Sequence, residues 1–481
     1  MNRKMVLNIL GNIITAEAAL LTLPLIVSLI YKELSALSFA ITIGIALLLG
    51  LSLKFLFKTK NHVIYAKEGF VTVSLAWLLL SAIGALPFVI SGEIPSYINA
   101  FFETVSGFTT TGASILNNVE LLSKGMLFWR SFTHWVGGMG FLVFVMAIIP
   151  NMTDRSIHIM RAEMPGPIIG KLVPRARQTA RILYLIYIVL TVIQIILLVC
   201  GGMSLFESFI HTFGTAGTGG FGIKADSVAG YNPYIQWVIT IFMLIFGMNF
   251  NLFYLILIGR LKSAFKSTEL WIYLCIVAIS SAIIAGNVFK MYGTVSETIR
   301  HSVFQVSSII TTTGYTTTDF NLWSGLPKSI LLALMFIGGC AGSTAGGFKV
   351  SRIIMLIKMV RNEFKHMLHP RSVNTVKFEG KTVESATQNS VGIYLALYCV
   401  CFAAILLLIS FEPFGLETNF SAAIACFNNV GPGLAAVGPV SNYAGYSDFS
   451  TIILSFAMLF GRLEIFPLMI LFSPSTWMRN K

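Results

Sequence analysis

Four short strings of small and polar residues interrupt an otherwise apolar chain, and their residue types suit one kind of chemistry. Two of them read TTTG, one reads AGTG and one reads VGPG. A cation that sheds its water needs oxygen ligands in exchange, and backbone carbonyls supply them where glycine lets the main chain turn them toward an axis. The residues predicted to bind the ion are Thr109, Thr110, Thr111, Gly112, Ala216, Gly217, Thr218, Gly219, Thr311, Thr312, Thr313, Gly314, Asn429, Val430, Gly431, Pro432 and Gly433. Each string would supply one quarter of a single filter.

The glycines of these strings predict how the four copies correspond. Gly112, Gly219, Gly314 and Gly433 are expected at equivalent positions. No string reads TVGYG, and Pro432 falls inside the fourth, so fewer carbonyl rings and a weaker preference for K⁺ over Na⁺ are expected than in a four-subunit potassium channel. The alternative is that the strings are ordinary turns where small residues let membrane helices pack closely.

A further glycine-rich segment, GGCAGSTAGG at residues 338–347, divides an apolar run. Paired glycines hold a helix poorly, and non-helical backbone is tolerated at membrane depth only where it lines a cavity or is covered by protein. We interpret the segment as a gate below the filter; the alternative is a seam of small residues between helices. The predicted gate residues are Gly338, Gly339, Cys340, Ala341, Gly342, Ser343, Thr344, Ala345, Gly346, Gly347 and Arg462.

Arg462 carries a charge within a long apolar segment that is expected to run from Ser450 to Phe472. A charge near the middle of a membrane is costly and is normally paired or functional. We expect its guanidinium to contact carbonyls of residues 338–347 and to present a positive barrier to a passing cation. The alternative is a structural ion pair with an acid other than Glu464, because residues i and i+2 lie on different faces of a helix.

Composition places these residues in a membrane protein. Of 481 residues, 56% are hydrophobic and 11% are charged, whereas a soluble domain carries about 25% charge. Apolar runs at residues 5–30, 36–57 and 182–201 are long enough to cross a bilayer as helices and lack the alternation of a membrane barrel. Residues 5–30 are expected to be a retained span and not a cleaved leader. The predicted fold class is an all-α polytopic membrane protein.

The net charge of +13 is distributed as membrane topology requires. Most Lys and Arg residues lie near 3–4, 54–67, 155–181, 260–266, 349–381 and 479–481. The positive-inside rule places these segments in the cytoplasm, with both termini, in a multi-pass protein of the cell (inner) membrane. The basic charge is therefore attributed to topology beside lipid, and no nucleic-acid partner is expected.

One unit occurs four times: a spanning helix, a helix too short to span, a polar string and a second spanning helix. The short helices must re-enter the membrane inside protein, so four pseudo-symmetric copies around one axis would enclose a central pore. The copies are predicted to have helices at 70–90, 97–108 and 126–149; 182–201, 205–213 and 234–258; 270–289, 295–310 and 327–359; and 391–409, 418–427 and 450–472. The predicted units are an N-terminal helix pair at 1–67 and pore repeats at 68–180, 181–267, 268–387 (with the gate) and 388–481.

Other reactive residue types give weaker signals. The six cysteines have no CxxC spacing and are predicted to be buried small hydrophobes. His134, His211 and Ser343 lie in or near apolar segments, but G-x-S-x-G and H-E-x-x-H motifs are absent, so no enzyme activity is expected. His366 and His369 are expected on a solvated helix face and not at a metal. Polar residues at membrane depth could face the pore or bond neighbouring helices; they are Asn249, Asn251, Asn428 and Asn429.

Several longer strings resemble those of a known family. SGFTTTGAS (106–114), GGCAGSTAGGFKVSRI (338–353), NNVGPGLAAVG (428–438) and GRLEIFPLMILFSP (461–474) are similar to the TrkH/TrkG membrane subunits of the Trk potassium-uptake system, within the Trk/Ktr/HKT superfamily. The resemblance covers essentially the whole chain, including the leading helix pair.

The resemblance implies K⁺ as the transported ion and a homodimer with one pore per protomer. It also implies a cytosolic TrkA-type ring subunit, docked on the basic loops, which alone would bind a nucleotide such as ATP or NADH. A secondary transporter of another cation or a small solute, for example one coupled to Na⁺, is the alternative; such folds usually show two-fold repeats.

Overall fold

The computed structural model describes residues 2–58, 65–140, 176–371 and 375–478. Within these ranges six helices are long and apolar enough to cross a membrane, or seven if one bent pair counts as a single span. The predicted all-α polytopic fold is confirmed. The second half of the predicted helix 126–149 and most of the basic segment 155–181 lie outside the described residues.

The elements of the described ranges follow each other in the order expected for four units after a leading pair. The helices are Arg3–Leu20, Thr22–Ile30, Ser35–Leu56, Ala66–Gly84, Leu86–Ser91, Tyr97–Phe108, Lys124–Gly138, Ala176–Cys200, Leu205–Gly217, Pro233–Phe246, Phe250–Leu257, Leu261–Phe265, Thr268–Tyr292, Val295–Ile310, Gly325–Ile337, Val350–Leu368, Ser385–Ile409, Leu416–Phe427, Asp448–Arg462, Phe466–Phe472 and Pro474–Trp477. Short 3₁₀ turns lie at Val119–Leu121, Phe320–Leu322 and Ala435–Val437, and strands Lys377–Phe378 and Lys381–Thr382 form one antiparallel hairpin.

Each unit contains one half-helix that is too short to cross a bilayer. The four half-helices are Tyr97–Phe108, Leu205–Gly217, Val295–Ile310 and Leu416–Phe427. The first three begin where a side-chain oxygen of Ser96, Ser204 or Thr294 accepts an N–H of the first turn. All four end at a polar string, so the negative end of each helix dipole is directed to the strings, where a cation is favoured.

Two spanning helices are broken where the apolar pattern predicts continuity. The predicted helix 234–258 is divided into Pro233–Phe246 and Phe250–Leu257, which meet at 90°. The predicted helix 450–472 ends at Arg462 and resumes at Phe466, with positive φ at Glu464 and Ile465. Apolar composition alone does not reveal these breaks, because side chains on both sides of each break remain equally hydrophobic.

The cysteine prediction is partly wrong. Cys340 and Cys426 are buried, but Cys200, Cys275 and Cys399 are exposed on helices that are long and apolar enough to span a membrane. In a membrane protein the outward surface of such helices contacts lipid hydrocarbon. A small apolar side chain is therefore as favourable there as in the protein interior.

Both ends of the described chain lie on one face of the molecule. The Arg3 guanidinium donates to the carbonyl of Trp477 (3.2 Å), and Lys67 Nζ donates to the carbonyl of Ser475 (3.0 Å). This agrees with an even number of crossings between the two ends.

Candidate ion pathway

The four polar strings end their half-helices with the same hydrogen-bond pattern. In each, an N–H reaches back five residues: Thr111 to Ser106, Gly219 to Gly214, Thr313 to Ser308 and Val430 to Ala425, at 2.8 or 2.9 Å. The preceding residue has a left-handed backbone; these residues are Thr110, Thr218, Thr312 and Asn429, with φ between 55° and 57°. The pattern is the Schellman motif, which satisfies the last carbonyls of a helix. Asparagine tolerates this conformation, but the β-branched threonine rarely adopts it, so three of the four positions hold an unfavourable backbone that the surrounding structure must maintain.

The shared pattern corrects the correspondence of the glycines. The glycines with positive φ that follow the motif are Gly112 (81°), Gly220 (77°), Gly314 (83°) and Gly431 (96°). Gly219 and Gly433, predicted as equivalents of Gly112, are therefore displaced by one residue in the second string and two in the fourth. The prediction aligned the letters of the strings, whereas the ends of the half-helices determine the register.

These four glycines join the copies in a closed cycle. A Cβ on any of them would collide with a backbone carbonyl oxygen of the next copy. The contacts, glycine first, are Gly112 with Gly219, Gly220 with Thr313, Gly314 with Val430 and Gly431 with Thr111. The first copy touches the second, the second the third, the third the fourth, and the fourth the first. The strings therefore surround one common axis.

The carbonyls in this cycle are buried and free of donors. Among the described residues, no donor reaches the backbone oxygens of Thr111, Gly219, Thr313 and Val430. A buried carbonyl that lacks a partner is costly, and nearly all such groups in native proteins are satisfied by protein, water or a ligand. Four equivalent free oxygens around one axis are the chemistry that a dehydrated cation requires.

A cavity lies on each side of the ring. The cavity on one side, about 140 Å³, is lined by all four ring glycines. The cavity on the other side, about 50 Å³, is lined by Asn429, by residues of the glycine-rich segment 338–347, and by Lys349 and Arg462. We call them the outer and inner cavities. Because Asn429 and Gly431 line opposite cavities, the fourth string passes from one to the other within two residues.

The predicted gate segment is a loop that joins helix Gly325–Ile337 to helix Val350–Leu368, and its two ends lie against each other. The N–H of Phe348 donates to the carbonyl of Phe336 (3.1 Å), and a Cβ on Gly347 would press on the Cα of Gly338. Residues 338–347 therefore form a loop whose two ends meet, between helices that would otherwise follow each other directly. We call it the gate loop.

The gate loop is held from several sides. The N–H of Gly346 donates to Thr312 Oγ1 in the third string (2.7 Å). The N–H of Cys340 donates to the carbonyl of Gly247 (3.0 Å), which the 90° break in the second unit leaves free. The loop thus lies directly beneath the ring and lines the inner cavity.

Arg462 contacts the gate loop as predicted and also reaches the first unit. Its Nη1 donates to the carbonyl of Thr344 (3.1 Å), and its Nη2 donates to the carbonyls of Gly138 (2.8 Å) and Gly137. The same Nη1 lies 3.5 Å from Thr110 Oγ1 in the first string. The guanidinium therefore places a positive charge at the inner side of the ring.

Sequence reasoning did not find an ion pair that lies close to Arg462 in the chain. Arg352, on the helix after the gate loop, pairs with Glu464 in the break that follows Arg462. Both side chains are nearly buried, and the Arg352 guanidinium also stacks on Tyr394, 4.2 Å from its ring centre. The signal available in the sequence was an acid, Glu464, two residues after a membrane arginine.

The remaining polar candidates bond to neighbouring protein groups. Asn428 Oδ1 accepts from Tyr398, and Asn429 Nδ2 donates to Thr111 Oγ1 and to the carbonyl of Met458. Asn249 caps the helix that starts at Phe250 by accepting the N–H of Asn251. These contacts favour the helix-bonding alternative for Asn249 and Asn428, whereas Asn429 also lines the inner cavity.

The histidines and Ser343 do not form a catalytic set in the described ranges. His134 Nδ1 contacts the carbonyl of Gly107 (2.7 Å), His211 Nδ1 contacts the carbonyl of Glu207 (2.9 Å), and Ser343 donates to the carbonyl of Cys340 (2.6 Å). Each is used locally. The described residues contain no group of three His, Cys, Asp or Glu side chains placed to hold a metal ion.

The fold and the ring define a polytopic membrane transport protein made of four repeats in one chain. The family model TrkH, described as a cation transport protein, matches residues 36–273 and 264–480. The chain belongs to this TrkH family of cation transport proteins.

Individual members of the family are similar to this chain along nearly its whole length. The chain is 36% identical to the Trk system potassium uptake protein TrkH of Salmonella typhimurium, over 99% of this chain and 100% of that protein. It is 32% identical to the Trk system potassium uptake protein TrkG of Escherichia coli, over 94% of each. The crystal structure of the potassium transporter TrkH from Vibrio parahaemolyticus matches with a TM-score of 0.90 and 32% identity, over 99% of this chain and 100% of that one.

Proposed function

We propose that this protein takes up potassium through the ring of carbonyls formed by its four polar strings. The observation that carries the proposal is the closed cycle of glycine contacts, which brings four buried, donor-free carbonyls from four copies around one axis. The names of the relatives supply K⁺ as the ion. This geometry supports ion binding at the filter residues named above, with Gly220 added.

Permeation would use the ring as a partial substitute for water. A K⁺ ion enters the outer cavity, exchanges hydration oxygens for the carbonyls of Thr111, Gly219, Thr313 and Val430, and leaves through the inner cavity. The half-helices direct their negative ends to the same place, which lowers the electrostatic cost of holding a cation there.

The gate loop and Arg462 would control the exit. The loop lies beneath the ring with Gly346 bonded to Thr312, and Arg462 adds a positive charge that opposes a cation. Opening then requires the loop to move away and Arg462 to exchange its carbonyl partners. The ion pair of Arg352 and Glu464 would keep Arg462 in position on the other side.

We also propose that both termini and the basic segments face the cytoplasm and that the protein acts as a homodimer with a nucleotide-binding ring subunit. The hydrogen bonds that place both ends of the described chain on one face, together with the positive-inside rule, support this orientation. The words "Trk system" in the relatives' names support a multi-subunit assembly. The five units predicted from sequence remain the proposed division of the chain.

The test is uptake of ⁸⁶Rb⁺ and ²²Na⁺ by proteoliposomes that contain the purified chain, at varied membrane potential and with K⁺ as competitor. Rb⁺ uptake that K⁺ inhibits supports the proposal. If Na⁺ uptake exceeds Rb⁺ uptake, or if K⁺ does not compete, the proposal is wrong. Reversal potentials with and without a Na⁺ gradient separate simple conduction from the alternative of Na⁺-coupled transport.

A further inference from the structure

A cytosolic-side hairpin touches the start of a spanning helix through one carboxylate. Glu379 lies in the turn between strands Lys377–Phe378 and Lys381–Thr382. Its Oε1 accepts the Ser267 hydroxyl (3.0 Å) and the N–H of Glu269 (3.0 Å). Helix Thr268–Tyr292 begins here, and a carboxylate is favoured at a helix N-terminus, where free N–H groups and the helix dipole attract it.

The next contact leads into the gate loop. Glu269 is 4% exposed, and its Oε1 accepts the N–H of Ala341 at 2.7 Å. Glu269 is therefore held by the hairpin through its backbone and holds the gate loop through its side chain. Bonds to a carboxylate are stronger than bonds between neutral groups, and this one is largely shielded from water.

The hairpin is itself anchored to the protein. Val376, Phe378 and Val383 are buried in the core cluster that also contains Tyr273 of helix Thr268–Tyr292. Lys358 Nζ donates to the carbonyl of Lys377 (2.8 Å), which ties the hairpin to the helix that follows the gate loop. The hairpin therefore contacts both the helix that carries Glu269 and the helix that follows the gate loop.

We infer that Glu379 and Glu269 are positioning residues that hold the gate loop in place. In this inference the hairpin 377–382 is the element through which a displacement at the cytosolic face reaches the loop. The inference rests on the proposed gating role of residues 338–347. Its physical content is the series of contacts from Glu379 to the N–H of Glu269, and from the Glu269 carboxylate to Ala341. Neither residue contacts the ion in this arrangement.

Cys340, next to Ala341 and fully buried, is a natural reporter of loop position. The experiment uses the full-length chain in proteoliposomes with the other cysteines replaced by alanine, and measures how fast a charged, membrane-impermeant methanethiosulfonate reacts with Cys340. The replaced positions are Cys200, Cys275, Cys399, Cys401 and Cys426. ⁸⁶Rb⁺ uptake is measured on the same samples.

Glu379→Ala removes the acceptor, whereas Glu379→Gln keeps an oxygen at the same place. We expect Glu379→Ala to raise the labelling rate roughly tenfold, since a hydrogen bond to a charged group is lost. Glu379→Gln is expected to stay within about twofold of the parent, because the side-chain oxygen still accepts. Glu363→Ala, on the exposed surface of helix Val350–Leu368, is the matched control and should leave the rate unchanged.

A second pair tests the order of the contacts. Glu269→Leu should raise the labelling rate and Glu269→Gln should preserve it, and Glu379→Ala should add nothing in the Glu269→Leu background, because coupled residues are not additive. Equal labelling in Glu379→Ala and Glu379→Gln, or full additivity with Glu269→Leu, overturns the inference. If labelling rises while Rb⁺ uptake is unchanged, the contact series stands and the proposed gating role of the loop fails.

Discussion

Arg462 and Thr344 are joined by a hydrogen bond beside the inner cavity, in which the guanidinium Nη1 lies 3.1 Å from the Thr344 carbonyl oxygen. The two residues come from different units, the fourth and the third. One hydrogen bond thus joins the inner charge of the pathway to the gate loop. Arg462 lines the inner cavity together with Ala345 and Gly346, which follow Thr344 in the gate loop.

Arg462→Ala should raise ⁸⁶Rb⁺ uptake, because it removes a positive charge from the exit and a donor from the gate loop. Loss of a charged hydrogen bond of about 1.5–3 kcal/mol corresponds to an increase of roughly tenfold or more if opening limits the flux. Arg462→Lys, which keeps the charge and loses the forked donor, should give a smaller increase. Unchanged or lower uptake in Arg462→Ala at equal protein yield would contradict the assignment of Arg462 to the gate.

Deletion of residues 338–347 should also raise uptake. The ends of the loop touch, since Phe348 donates to Phe336, so Ile337 and Phe348 can be joined with little distortion of the flanking helices. Uptake by proteoliposomes is compared with that of the parent, and monodispersity in detergent serves as the control for folding. A monodisperse deletion variant with parental or reduced flux would show that the loop does not obstruct the pathway.

Gly314→Ser should lower the preference for K⁺ over Na⁺. The glycine has φ of 83°, and an added side chain would press on the Val430 carbonyl, which belongs to the ring. The measurement is the ratio of Rb⁺ to Na⁺ uptake, which should fall roughly five- to thirtyfold for a distortion energy of about 1–2 kcal/mol. Gly286→Ser is the matched control, because a Cβ there meets nothing within 4 Å. An unchanged ratio in Gly314→Ser would show that the ring does not determine the selectivity for K⁺ over Na⁺.

Glu464→Gln should destabilise the protein, because Arg352 then keeps a nearly buried charge without its counter-charge. Breaking a buried ion pair costs about 3–5 kcal/mol, whereas replacing both members by apolar residues is often neutral. We therefore expect a lower midpoint of thermal unfolding in detergent for Glu464→Gln and partial recovery in Arg352→Met with Glu464→Leu. If the double variant is less stable than Glu464→Gln, the pair contributes more than mutual neutralisation.

Much of the local structure was predictable because it depends on short-range patterns. The predicted half-helices 97–108 and 295–310 agree with Tyr97–Phe108 and Val295–Ile310, since a capping side chain and a polar string delimit each. The break at residues 338–347 follows from its glycines. Membrane character and helical class follow from composition, which hydrocarbon constrains strongly.

What the sequence could not supply depends on contacts between distant residues. The equivalence of Gly112, Gly220, Gly314 and Gly431 is visible only once each glycine is seen against the carbonyl of the next copy, because one-residue and two-residue offsets hide it in the letters. The 90° break after Phe246 and the pairing of Arg352 with Glu464 have the same origin. Composition and local pattern therefore determined the class and the half-helices. The register and closure of the ring were decided by packing between units. Every residue has the same backbone carbonyl whatever its side chain, so the sequence does not show which carbonyls meet a glycine of the next copy.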